Sequence, residues 1–175
     1  KMKKIVLLAA VFNCSLFFVF GQEDLSQPFK DCNIKGSTTI YDYQAKKWIS
    51  SDIEDSHKGT LPASTFKIIN TLIALETAVV KNENEETLPF KKTSFQILRD
   101  MMVEEQTADY TLRAKTGWTR EGGKDTGWWV GYLERSDNVY FFATRLIKNR
   151  ADKNSDFGAC RKEITKTILR QLKML

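Results

Sequence analysis

The chain reads as an α+β domain, an antiparallel sheet packed with helices, and three observations carry that reading. Runs of β-branched and aromatic residues bounded by polar turns occur near the start and again in the second half. Two stretches between them have helical periodicity, and the last apolar residues recur at helical spacing. Strands, then helices, then strands, then a helix is the order expected when helices stack on an antiparallel sheet.

The first strands fall at 37–43 and at Trp48-Ile49, joined by the polar turn Gln44-Ala45-Lys46-Lys47. A polar stretch over 50–59 leads to Pro62. Ile68, Ile69, Leu72, Ile73, Leu75 and Ala78 then predict a helix that is apolar over most of its circumference and belongs in the centre of a fold. After a charged connector at 81–87, Thr93 with Gln96 fits a capping box opening a helix that presents Phe95, Leu98, Met101 and Met102. Strands at 110–116, 128–134 and 139–146 suggest a meander, the last two joined at Arg135-Ser136-Asp137-Asn138. From Arg161 onward, Ile164, Ile168, Leu169, Leu172 and Leu175 make an amphipathic helix able to lie across the sheet. No internal repeat is visible.

The 175 residues suit one compact domain, and 42% hydrophobic, 11% aromatic and 28% charged residues describe a globular protein rather than a disordered one. Residues 1–21 differ in kind: Lys1, Lys3 and Lys4 precede an apolar run over 5–20, and Val19-Phe20-Gly21 ends in a small residue. This reads as a secretory signal with cleavage after Gly21, followed by a domain over 22–175. The residues before Cys14 lack the small side chains a lipidation site wants. The expectation is an exported protein, periplasmic or secreted, with no stable membrane anchor after cleavage. Removing three of 27 basic residues, against 22 acidic ones, leaves a net charge of about +2, which gives no warrant for nucleic-acid binding.

Cys32 and Cys160 then remain, and an oxidising compartment would permit a disulfide. Two separate, half-buried thiols are the preferred reading. With His57 the one histidine, the usual zinc ligands are missing and no metal is expected. Its setting, Glu54-Asp55-Ser56-His57-Lys58-Gly59, is a polar surface loop rather than the seat of a catalytic base. Trp128 and Trp129 are adjacent on a strand, so at most one faces any site and both are candidates for the core.

The chemistry begins at Pro62-Ala63-Ser64-Thr65-Phe66-Lys67. The apolar helix that follows places Lys67 one turn from Ser64, on the same face. A serine hydroxyl becomes a nucleophile when a base is held beside it, and an unprotonated or modified lysine can serve. Free N–H groups at the start of a helix also favour developing negative charge. The spacing therefore proposes acyl transfer. Lys115-Thr116-Gly117, read at the end of a strand, adds a cation, a hydroxyl and a residue that lets a substrate approach the backbone.

With these motifs in chain order, Pro62-Ala63-Ser64-Thr65-Phe66-Lys67-Ile68, Leu75-Glu76-Thr77, Lys115-Thr116-Gly117-Trp118, Trp128-Trp129-Val130-Gly131 and Tyr140-Phe141-Phe142-Ala143 resemble the class D (oxacillinase-type) serine β-lactamases. The resemblance implies the penicillin-recognising serine enzyme fold and β-lactam antibiotics as ligands. It implies Ser64 as nucleophile and Lys67 as general base, carboxylated by carbon dioxide to N6-carboxylysine, with no other cofactor. Backbone N–H groups of Ser64 and Trp118 would form the oxyanion hole. Lys115, Thr116 and Gly117 would line the substrate site, and Arg161, in Ala159-Cys160-Arg161-Lys162, would hold the β-lactam carboxylate.

The family also carries an S-x-V motif, a Y-G-N motif and a tryptophan that steadies the modified lysine, all between the first helix and K-T-G. None occurs here. Asn84-Glu85-Glu86-Thr87 resembles the family just after its nucleophile helix and runs directly into Leu88-Pro89-Phe90, which resembles the segment before K-T-G. An internal helical segment is therefore missing between about 87 and 88, and the helical region is reduced. Ser136-Asp137-Asn138 imitates the S-D-N motif of class A enzymes, but it follows K-T-G and has the composition of a hairpin turn. Three functions follow as expectations: a β-lactamase acting through an acyl-enzyme, a sensor or trap acylated without efficient turnover, and an inactive shortened homologue.

Overall fold

A computed structural model describes residues 24–68, 91–153 and 156–175. The expected export signal, nearly all of the apolar helix after Lys67 and the junction between Thr87 and Leu88 lie outside the described residues. The elements in order are α1 (Gln27–Asp31), β1 (Lys35–Asp42), β2 (Lys47–Ser50), the single turn α2 (Ile53–Ser56), a 3-10 turn (Ala63–Phe66) and α3 (Lys92–Met101). Then come β3 (Val103–Gln106), β4 (Tyr110–Glu121), β5 (Lys124–Arg135), β6 (Val139–Asn149) and α4 (Phe157–Gln171). The six strands form one antiparallel sheet in the order β2-β1-β6-β5-β4-β3. This is the α+β architecture the element order predicts.

One face of the sheet makes the core. Ile40, Leu112, Ala114, Trp129, Leu133, Phe142 and Leu146 meet Phe157, Cys160, Ile164, Ile168 and Leu169 of α4. The buried positions of α4 recur at three- and four-residue intervals, one stripe of a helix. Trp129, Leu112, Leu133, Leu146 and Leu169 are fully buried; each such leucine stabilises the fold by about 1.5–3 kcal/mol. The adjacent tryptophans divide as strand alternation requires: Trp129 lies in the core against Phe142, while half-buried Trp128 faces the other way.

A line of buried hydroxyls crosses this core. Thr38 Oγ1 and Thr144 Oγ1 are 2.8 Å apart, Thr144 Oγ1 and Thr165 Oγ1 are 2.5 Å apart, and Thr165 Oγ1 donates to Arg161 O at 2.7 Å. It ties β1 and β6 to the first turns of α4. Removing one member would leave a buried polar group without a partner, at a cost of about 1–3 kcal/mol. On the opposite face, Arg145 is 2% exposed; it pairs with Asp55 Oδ1 at 2.7 Å and donates to the carbonyls of Asp55 and Lys58, which docks α2 and its loop on β6.

Several elements differ from their sequence expectation. β4 and β5 extend well beyond the apolar residues, because Gly122 (φ +54°) and Gly123 (φ +73°) form a two-residue turn that carries the ladder through Glu121↔Lys124. Main-chain pairing needs no apolar side chain, so charged residues continue the ribbon. Lys115-Thr116-Gly117 consequently sits inside β4, not at its end. The capping box at Thr93 is not formed: α3 starts two residues earlier, with Lys91 in the N-cap position, and Gln96 Nε2 donates instead to Asp100 Oδ1. On α3, Leu98 is buried, but Phe95 and Met101 are exposed. α4 begins at Phe157 rather than Arg161, because the Phe157 ring is buried against Trp118 and occupies the space left by Gly127. The short α1 and β3 carry no apolar periodicity in sequence. As expected, residues 136–138 form the turn between β5 and β6, closed by Arg135 N–H donating to Asn138 O, and His57 is exposed at the end of α2.

The preference for separate thiols is overturned: Cys32 and Cys160 form a disulfide with Cα atoms 6.2 Å apart, across 128 residues of sequence. α1 packs against α4, and its C-cap residue Cys32 meets the first turn of that helix. Closing so long a loop removes much freedom from the unfolded chain. Cys160→Ser, or the reduced protein, is expected to lose roughly 2–5 kcal/mol of stability. Urea unfolding with and without reductant checks this, and coincident midpoints would count against it.

Candidate active site

Ser64 lies half-buried in the 3-10 turn, and the Lys67 N–H closes that turn by donating to the carbonyls of Ser64 and Thr65. Ala63 adopts φ +51°, in the left-handed region a non-glycine residue enters at a cost of about 1–2 kcal/mol. Pro62, with φ −69°, sets the chain direction before it.

One contact braces this turn internally and two hold it on the sheet. Thr65 Oγ1 donates to Pro62 O at 2.6 Å, and Trp128 Nε1 donates to Leu61 O at 2.8 Å. The third is close packing on Gly117: a Cβ there would lie 3.0 Å from Thr65 Cγ2, 3.1 Å from Pro62 O and 3.3 Å from Ala63 Cβ. A side chain at 117 would therefore crowd the turn, whose atoms would have to give by a few tenths of an ångström. Strand alternation alone leaves Trp128 to a ligand-facing position or to the core; its role as a brace under residue 61 depends on a loop conformation that no local motif announces.

Strand alternation divides the second motif. Lys115 and Gly117 face the turn, while Thr116 and Trp118 lie on the α4 side, where the Trp118 ring packs 4.9 Å from Phe157. Lys115 Nζ donates to Thr116 O at 2.8 Å. Burial, then the positive charges of Lys67 and Arg161, push the Lys115 ammonium below the usual lysine range, against a smaller pull from Glu104. The Lys67 charge is thus near enough to Lys115 to be felt there. Lys67 itself is exposed.

Arg161, expected to grip a ligand carboxylate, is half-buried and turned toward the protein. Its Nη1 donates to Gly117 O at 2.6 Å and its Nε to Gly158 O at 3.0 Å. The guanidinium carbon lies 5.9 Å from the Trp118 ring centroid. The structure thus joins all the sequence-expected residues in one region, at the place where the turn meets β4 and the start of α4. Chemically, the arrangement offers a serine hydroxyl on a turn that packs on a strand carrying a lysine.

Residues 80–170 match the family model described as the penicillin binding protein transpeptidase domain. Over 88 residues the chain is 39% identical to the beta-lactamase OXA-48 of Klebsiella pneumoniae, covering 50% of this chain and 32% of that protein. The fold is similar to a class D beta-lactamase from Sebaldella termitidis, with a TM-score of 0.78 and 30% identity over 88% of this chain and 97% of that one. It is also similar to the C-terminal domain of the BlaR penicillin-receptor of Bacillus licheniformis, with a TM-score of 0.72 at 18% identity over 87% and 96% of the two chains. The first curated relatives are matched over only 24–32% of their own length. The fold is the penicillin-recognising one that the motifs imply.

Two outcomes test this geometry. Gly117→Ala should part the turn from β4 and lower stability by about 1–3 kcal/mol, the usual range for overpacking; an unchanged urea midpoint would show that the contact yields freely. Because Lys115 has a depressed folded pKa, the unfolded state binds more protons as the pH passes from the folded value to the unfolded one near 10.5, so its destabilising effect is full at neutral pH and fades upward. The stability difference between Lys115→Met and the parent should therefore favour the variant at pH 7 and shrink by pH 10.

Proposed function

Because the chain belongs to the penicillin-binding protein transpeptidase family, we propose that it is a class D-type serine β-lactamase in which Ser64 opens the β-lactam ring to form a covalent acyl-enzyme. The observation that carries this reading is the close packing of the Ser64 turn on Gly117, which sets a serine hydroxyl, its lysine neighbour and the Lys115-Thr116-Gly117 backbone around one point. Ser64 Oγ attacks the lactam carbonyl carbon as its proton passes to a base. The C–N bond then breaks and the ring nitrogen takes up a proton. The N–H groups of Ser64 and Trp118 stabilise the oxyanion, since donors already aimed at the developing charge need not reorganise as it forms. Water then attacks the ester and releases Ser64.

Lys67 is the proposed base. A carbamate formed there from carbon dioxide would supply an anionic proton acceptor, and the Lys115 ammonium, whose charge is felt at Lys67, would favour its negative charge. The exposure of Lys67 leaves that group in water, where it is screened and less firmly placed, so release of the acyl group is the weaker step. This exposure, together with the missing S-x-V and Y-G-N motifs, favours slow turnover and keeps the sensor or trap as the second reading. Lys115, Thr116, Gly117 and Trp118 would contact the bound antibiotic. Export through residues 1–21 to a periplasmic or extracellular site belongs to the same proposal, and the Cys32–Cys160 disulfide supports it.

Intact mass after mixing with a penicillin should show one adduct of the whole antibiotic, absent from Ser64→Ala. A chromogenic cephalosporin should be hydrolysed slowly, faster with bicarbonate, and roughly three or more orders of magnitude slower by Ser64→Ala. A stable adduct without turnover selects the trap. Neither adduct nor turnover in the parent would sink both readings.

A further inference from the structure

We propose that the sheet face opposite α4 carries a ligand site of its own, a cavity floored by β1 and β6 and walled on one side by α2, which takes a small neutral aromatic molecule. The site uses residues outside the Ser64 turn and stands independently of the acylation chemistry. The cavity encloses about 620 Å³, inside the span of about 300–1,000 Å³ usual for small-molecule sites.

Its shape follows from cross-strand register. Successive strand residues point to opposite faces, so this face presents rows of side chains running across the strands. One row is aromatic: Trp48, Tyr41, Phe141 and Tyr132 are successive register partners. The next row is short, with Ser50, Thr39 and Ala143 as partners. The row after that sets Ser37, Arg145 and Trp128 side by side. Rows two residues apart lie about 7 Å from each other, so the outer two stand about 13 Å apart with only short side chains between them. The middle row is therefore a trough, with Trp48 on one wall and Trp128 on the other, and Ile53 of α2 beside it.

The chemistry of the lining selects the ligand. Trp48 and Ile53 are each 69% exposed, and exposed apolar surface rimmed by polar groups marks a binding groove. Indoles on both walls suit an aromatic ring, which stacks offset or edge-on. Trp128 spends its Nε1 on Leu61 O and so offers its ring. At the polar end, Arg145 is matched by Asp55 at 2.7 Å and by the carbonyls of Asp55 and Lys58, which leaves its charge compensated and favours a neutral ligand. The Thr39 hydroxyl lies 3.5 Å from Ser50 Oγ, the outer limit of a hydrogen bond, and remains able to bond a ring N–H or hydroxyl. The main chain of β1 and β6 is paired on both sides, so the floor has no strand edge to which a peptide could add.

The test uses indole as the probe and protein labelled with 5-fluorotryptophan, whose four tryptophans give four fluorine signals. Trp48→Phe and Trp128→Phe identify two of them. Indole should move the Trp48 and Trp128 signals along one saturating curve, with a Kd of roughly 0.1–1 mM for so small a ligand, and leave the other two in place. Ala143→Phe, which fills the trough, should weaken binding about tenfold or more. Should that variant not fold, Trp48→Ala removes an exposed wall and should weaken binding about 2–10-fold, read from the Trp128 signal. Ser64→Ala should bind indole as the parent does, so loss of acylation and loss of this site are separate results. The absence of a saturating shift up to about 10 mM indole would overturn the inference. So would equal movement of all four signals, unchanged binding in both trough variants, or loss of binding in Ser64→Ala. Movement of the same two signals on raising the protein concentration without indole would assign the trough to a second copy of the chain and overturn it as well.

Discussion

The absence of a side chain at Gly117 lets the turn that carries Ser64 rest directly on the middle of β4, within van der Waals reach of Thr65, Ala63 and the Pro62 carbonyl. Every other feature of the site depends on that contact. It seats the turn that carries Ser64 on β4 and leaves Lys67 close enough to influence Lys115. A methyl group in between would press on Thr65, Pro62 and Ala63 at 3.0–3.3 Å, and the turn would have to give by a few tenths of an ångström.

The two sides of this contact are supported unequally. Behind β4 lies a dense assembly: the α4 stripe, the fully buried Trp129, the threonine line and a disulfide that pins the start of α4 to α1. In front, the turn is held by Trp128 and by its own Thr65 hydroxyl. A rigid floor and a lightly braced nucleophile suit covalent capture of a strained ring, where the ring supplies much of the driving force. They suit less well the later step, in which water must be activated beside an exposed lysine. This asymmetry is the physical basis for proposing acylation as the stronger half of the chemistry.

Much of the fold was legible in the chain because it rests on local patterns. Alternation marked β1, β5 and β6, three- and four-residue spacing marked α4, and turn composition marked residues 136–138. The misses have local causes too. Apolar patterning underestimated β4 and β5, since a ladder propagates through main-chain bonds as far as the Gly122-Gly123 turn allows. Thr93 and Gln96 had capping chemistry, yet the helix took its N-cap at Lys91, two residues before. In the site, Ser64, Lys67 and Lys115-Thr116-Gly117 were visible as spaced motifs. Trp128 as a brace and the inward turn of Arg161 were not, because both depend on backbone carbonyls contributed by distant residues.

The sequence by itself determined the class of fold, the order of its elements and the family, because these follow from periodicity and from short motifs whose spacing is covalent. Only the tertiary structure decided that Cys32 reaches Cys160, that a neighbouring turn packs on Gly117, and that Arg161 spends its donors on the strand carrying Trp118. Those outcomes depend on which surfaces meet in space. Cys32 and Cys160 meet across 128 residues, and the residues around Gly117 are more than fifty positions away in the chain, distances over which local sequence carries no information about contact.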